Sequence, residues 1–143
     1  TYHEAGHTLV SYLCGEKPTF VTNISRSNFG GDMLHEIDDQ RTTFTKQELL
    51  DRICCALAGR VAELIVYGDE QGMTTGASSD LKNANGIAVE IVNRYAMNGS
   101  LVRLDRSVYG DEVGKMMYVQ VEKILTEQFE RAKTLIVKNR QKL

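Results

Sequence analysis

Residues 45–68 read T-K-Q-E-L-L-D-R-I-C-C-A-L-A-G-R-V-A-E-L-I-V-Y-G, and this stretch makes the case for a helical protein. Thr45, followed three residues later by Glu48, is a capping box: each side chain satisfies a backbone N–H that the first turn leaves free. Leu50, Ile53, Cys54, Leu57, Val61, Leu64 and Ile65 then recur at helical spacing. Gly68 supplies the stop, because glycine enters the left-handed conformation that ends a helix without steric cost. One helix running to about Tyr67 is predicted.

Working outward, the N-terminal segment to about Cys14 repeats Ala5, Leu9 and Leu13 four residues apart and meets a stop at Gly15, which predicts a helix. Pro18 to Arg26 alternates and carries Phe20, Val21, Thr22 and Ile24, which predicts a strand. Asn28, Gly30 and Gly31 mark a turn, and Asp32 to Ile37 reads as a second strand. C-terminal to the central helix, Ser78 or Ser79 is a cap for a helix reaching about Met97, with Leu81, Ala84, Ala88, Ile91 and Tyr95 as its stripe. Gly86 inside it points to a close helix contact, since glycine there costs about 1 kcal/mol relative to alanine. Residues 100–110 read as an irregular connection. A last helix is expected from about Asp111 to Lys142, acidic at its start and basic at its end, as the helix dipole favours. The expected class is mainly α, with a small antiparallel hairpin or sheet near the first helix.

The composition excludes several functions. The chain has 143 residues, 42% hydrophobic and 25% charged, the balance of one globular domain. A chain of this size buries about 68–70% of its unfolded surface and needs no disulfides to hold a core. The net charge is −2, from 17 basic and 19 acidic residues, which gives no electrostatic case for nucleic acid. No apolar run of 18 residues occurs, so no membrane contact by this segment is expected. Nor is there a basic, then apolar, signal-peptide pattern. Cys14, Cys54 and Cys55 make an odd count with two adjacent, a poor disulfide framework. They read as reduced packing residues in a reducing compartment.

The chemistry concentrates in His3-Glu4-Ala5-Gly6-His7, an H-E-x-x-H on the first predicted helix. Residues four apart share a helical face, so two imidazoles at that spacing reach one zinc ion. Zinc brings the pKa of a bound water toward about 7. The glutamate after the first histidine then takes the proton as the water attacks a carbonyl, and returns it to the departing amine. A catalytic zinc ordinarily takes three protein ligands. The extended motif with a third histidine is absent, since position 13 is Leu13. Asp80, Glu63 and His35 are the candidates. Asp80, in a first helical turn, reads locally as a dipole or capping residue. Glu63 lies beside small Ala56 and Gly59, and His35 falls on a predicted strand.

Three segments together, Tyr2-His3-Glu4-Ala5-Gly6-His7, Ala56-Leu57-Ala58-Gly59-Arg60-Val61-Ala62-Glu63 and Thr74-Thr75-Gly76-Ala77-Ser78-Ser79-Asp80-Leu81, resemble the peptidase domain of the FtsH family of ATP-dependent zinc metalloproteases. The resemblance covers the chain well to about Met97. It implies a single zinc metallopeptidase domain over residues 1–143, mainly helical with a small sheet. It implies zinc held by His3, His7 and Asp80, Glu4 as catalytic base, and Glu63 as a partner of a ligand histidine. It also implies polypeptide substrates, six-fold rings, and a place on the cytoplasmic face of a bacterial inner membrane. Family members carry transmembrane segments and an ATPase module ahead of the peptidase. The chain begins two residues before its motif and holds no G-x-x-x-x-G-K-[ST], so it reads as a piece of a longer polypeptide in which ATP acts through that other module. Departures are Ala58-Gly59 in place of two glycines, Glu63-Leu64 in place of two glutamates, and a longer loop at residues 69–73. The competing expectation is a zinc-binding domain without turnover, used in assembly or as an adaptor; the presence of Glu4 speaks for the enzyme. Strand Asp32 to Ile37 is a candidate edge for pairing with a peptide substrate.

Overall fold

The computed structural model describes residues 1–15, 43–95, 97 and 99–142. Helix α1 (Tyr2–Leu13) is capped by Thr1, whose hydroxyl accepts the Glu4 N–H at 3.3 Å. Gly15 follows it at φ 88°. Helix α2 (Lys46–Tyr67) has the expected capping box. Thr45 Oγ1 accepts from Glu48 N at 3.1 Å, Thr45 N donates to Glu48 Oε1 at 2.9 Å, and Gly68 ends the helix at φ 81°. Two 3-10 turns, Glu70–Gly72 and Thr75–Ala77, lead into helix α3 (Ser78–Val89). A π turn, Glu90–Arg94, continues it. Helix α4 (Arg106–Tyr109) is short, capped by Asp105, and followed by the 3-10 turn Gly110–Glu112. Helix α5 (Val113–Lys138) closes the fold, with a last turn at Arg140–Lys142.

The mainly helical class is observed. Among the described residues there is no strand; the expected strands Pro18 to Arg26 and Asp32 to Ile37, the candidate peptide edge and His35 all lie outside the described residues. No described helix is long and apolar enough to cross a membrane.

Helix α2 lies at the centre and is buried on more than one side, which a single amphipathic stripe underestimates. One side packs Leu49, Ile53 and Leu57 against Ala84, Ile87, Ala88 and Ile91 of the α3 segment and Val121 and Ile124 of α5. Another packs Cys54, Ala58, Val61 and Ala62 against Leu9 and Val10 of α1 and Ala132 and Ile136 of α5. Phe129 touches both clusters. The small residues of α2 let α1 approach closely. A methyl at Gly6 would stand 2.5 Å from the Ala58 carbonyl oxygen and 2.6 Å from Ala62 Cβ. The contacts run in opposite directions, His3 on Glu63 and His7 on Cys55, so α1 and α2 are antiparallel.

Several boundaries differ from expectation. Neither Ser78 nor Ser79 caps α3; Thr74 caps the preceding 3-10 turn, and that turn feeds α3 directly. The segment expected to run as one helix to Met97 leaves α geometry at Glu90. The connection expected to be irregular contains α4, and the last helix starts at Val113. Gly86 faces open space, so it marks no close contact; Gly6 does.

Candidate metal centre

One face of α1 directs His3 and His7 at α2, with ring centroids 4.7 Å apart and planes at 79°. Each imidazole is held from behind. His3 Nδ1 donates to Glu63 Oε1 at 2.7 Å, and His7 Nδ1 donates to the Cys55 carbonyl at 2.8 Å. A carbonyl oxygen only accepts, so the His7 proton sits on Nδ1 and its Nε2 carries a lone pair. The same reasoning applies to His3 against an ionised Glu63.

The two Nε2 atoms then face each other at 3.1 Å, and both lie 3.0 Å from Asp80 Oδ2. Asp80 arrives from the first turn of α3. The loop that delivers it is tied to α2 twice. Glu63 Oε2 accepts the Thr74 N–H at 2.8 Å, and Arg60 Nη2 donates to the Thr74 carbonyl at 3.3 Å. Glu63 thus holds His3 with one oxygen and the Asp80 loop with the other. It is 2% exposed, so both bonds are shielded from water.

Charge follows from these contacts. Burial works against ionisation of Asp80, yet the hydrogen bonds to His3 and His7 outweigh it and lower its pKa to about 2. Burial likewise opposes ionisation of Glu63, and the bonds from His3 and Thr74 hold it below the usual carboxylate range. His3 is raised, first by its hydrogen bond to Asp80, with burial opposing and Glu63 adding.

With both Nδ1 protons turned away, three acceptor atoms converge on one point, and either a proton shared between an imidazole and Asp80 or a metal ion relieves their repulsion. Adjacent ligands of a tetrahedral zinc, bonded at about 2.0–2.1 Å, lie about 3.3 Å apart, close to the separations observed here. Two imidazoles and one carboxylate are a donor set zinc accepts. The residues present therefore fit the metal. Gly59 makes room for them: a methyl there would stand 2.6 Å from both His3 Nε2 and His7 Nε2.

His3, His7 and Asp80 are brought together, their ligand atoms within 4.8 Å of one another. Glu63 stands behind His3 and outside that group. Glu4 is half-buried on α1 next to His3, and among the described residues no hydrogen bond or ion pair engages its carboxylate. Sequence reasoning missed the Cys55 carbonyl, the Thr74 N–H and the role of Gly59. Only the last left a sequence signal, a glycine four residues before an acid in a helix otherwise free of glycine.

A helical domain with an H-E-x-x-H pair completed by a distant aspartate is the pattern of a metallopeptidase. The profile of peptidase family M41 matches residues 1–143, and the chain belongs to that family. The ATP-dependent zinc metalloprotease FtsH of Bacillus subtilis (strain 168) is 33% identical over 161 residues, covering 99% of this chain and 25% of that protein. The FtsH of Chloroflexus aggregans is 35% identical, covering 97% and 24%. That of Thermotoga maritima is 34% identical, covering 99% and 26%. The chain thus spans about a quarter of the length of these relatives.

Proposed function

We propose that this chain is a zinc metalloendopeptidase domain, the proteolytic part of an ATP-dependent membrane protease. The observation that carries the reading is the convergence of His3 Nε2, His7 Nε2 and Asp80 Oδ2 at 3.0–3.1 Å, with both Nδ1 protons committed elsewhere. In this reading the three side chains hold zinc. Bound there, zinc supplies Lewis acidity, polarising a carbonyl and easing loss of a proton from water.

The remaining roles belong to the chain itself. Glu4, whose carboxylate no described neighbour engages, takes the proton of the attacking water and hands it to the departing amine. Glu63 keeps the His3 ring oriented and the Asp80 loop docked. The relatives' names carry ATP dependence, and the family resemblance adds six-fold rings and a cytoplasmic membrane face. Unfolding and delivery of polypeptide would then fall to an ATPase module outside these 143 residues. Casein hydrolysis tests the reading: chelator should stop it, and added zinc should restore it. Stoichiometric zinc without any hydrolysis by the full protein would favour the adaptor alternative.

A further inference from the structure

The end of α1 opposite His3 carries a second cluster. Cys14, at the C-cap of α1, is half-buried, and the Cys54 and Cys55 side chains of α2 are buried against it. Arg131 of α5 lies over this group, with Nη2 3.7 Å from Cys14 Sγ. The guanidinium is fixed in place. Nη2 also pairs with Asp51 Oδ1 at 2.7 Å, and Nη1 donates to Gln128 Oε1 at 3.1 Å. Cys54 is three residues beyond Asp51 on α2, hence on the same helical face, turned toward Cys14 and Arg131. Packing alone does not call for a fixed cation beside a thiol. Such a neighbour, with partial exposure, is the setting in which cysteines become nucleophilic.

The direction of ionisation agrees. Hydrogen bonds from Cys54, then Cys55, lower the Cys14 pKa; burial opposes them, and Arg131 adds to the lowering. Cys54 is raised, chiefly by its bond to Cys14. Both directions favour charge on Cys14, the sulfur nearest Arg131 and solvent, over the buried thiols. Cys55 also bonds Cys14, but unlike Cys54 it shares its thiol with Ser11 and has its carbonyl held by His7.

We propose that Cys14 is a peroxide-reactive cysteine and that Cys54 is its resolving partner. The Cys14 thiolate attacks one oxygen of a hydroperoxide. The S–O bond forms, the O–O bond breaks, and the leaving oxyanion takes a proton. Cys14 is then a sulfenic acid. Cys54 loses its proton and attacks the Cys14 sulfur. The S–S bond forms, the S–O bond breaks, and hydroxide leaves as water. For hydrogen peroxide the sum is two thiols and one peroxide giving one disulfide and two waters. The bond ties α1 to α2, the pair that also carries His3, His7 and Glu63, and a thiol reductant reverses it.

The test uses the full protein, purified in reductant and then desalted. Brief iodoacetamide treatment at neutral pH should label Cys14 about tenfold or more faster than glutathione under the same conditions. Labelling no faster than glutathione overturns the proposal without any variant. Hydrogen peroxide followed by non-reducing peptide mapping should link the Cys14 peptide to residues 53–60 within one chain. The link should survive Cys55→Ser and vanish in Cys54→Ser, where dimedone should capture the Cys14 sulfenic acid. A link that needs Cys55, or none at all, refutes the assignment. Arg131→Gln should slow labelling of Cys14 about tenfold. Should that variant fail to fold, the comparison of native Cys14 with glutathione still decides.

Discussion

Gly59→Ala isolates the space on which the metal centre depends. Taken by itself, the change favours the helix, since alanine exceeds glycine by about 1 kcal/mol in a helix interior. The surroundings reverse that gain locally. The new methyl would stand 2.6 Å from His3 Nε2, His3 Cε1 and His7 Nε2. Non-bonded contacts of this kind are comfortable near 3.5 Å, so the imidazoles must retreat by about 1 Å. Ligand distances in a working metal site tolerate about 0.2 Å. Both rings are also held from behind, by Glu63 and the Cys55 carbonyl, so retreat breaks those bonds as well. Overpacking costs about 1–3 kcal/mol, partly offset by the helix preference. The protein should therefore stay folded, with a helical circular dichroism spectrum and a small shift in melting. Zinc affinity, measured by competition with a chromophoric chelator, should fall roughly 100-fold or more, and peptidase activity with it. A folded Gly59→Ala protein with native zinc affinity and native casein hydrolysis would refute the reasoning.

Four further outcomes follow from the same geometry. Glu4→Gln should retain one zinc per chain by metal analysis yet lose roughly 10²–10⁴ in hydrolysis; retained activity would end its role as base. Asp80→Asn should lose zinc on dialysis against a chelator that the native protein withstands; unchanged zinc content would assign the third ligand elsewhere. Gly6→Ala should lower stability by about 1–3 kcal/mol in denaturant melts, because its methyl meets the Ala58 carbonyl, and an unchanged midpoint would contradict the close crossing of α1 and α2. Zinc should be released on the acid side, as protons compete for His3, whose pKa its carboxylate partners raise above 6.5; metal analysis after dialysis at stepped pH reads this, and loss only on the alkaline side would contradict it.

How far the chain was legible depended on whether the deciding interaction is local. Both ends of α2 were readable because Thr45, Glu48 and Gly68 act on the backbone within a few residues. For α3 the start at Ser78 was readable but its cap was not, because Thr74 caps the preceding turn and is held by Glu63, eleven residues away. Glycines behaved likewise. Gly86 disturbs its helix but faces open space, whereas Gly6 and Gly59 sit where another helix or a ring arrives. Composition cannot separate those cases. H-E-x-x-H displayed two converging imidazoles directly, since helical spacing is local. Asp80 read locally as a helix-start acid, and only the family resemblance linked it to His3 and His7; its carboxylate reaches them across 77 and 73 residues. The cysteines read correctly as free thiols, but the cation beside Cys14 comes from α5, 117 residues on.

The central claim is that one zinc ion is held between α1 and the start of α3. Anomalous diffraction at the zinc absorption edge, on crystals grown without chelator, tests it most directly. The account predicts one strong peak per chain, about 2.0–2.2 Å from His3 Nε2, His7 Nε2 and Asp80 Oδ2, with Glu63 bonded to His3 and away from the metal. A peak ligated by Glu63 in place of Asp80, or no peak between the two histidines, would contradict it.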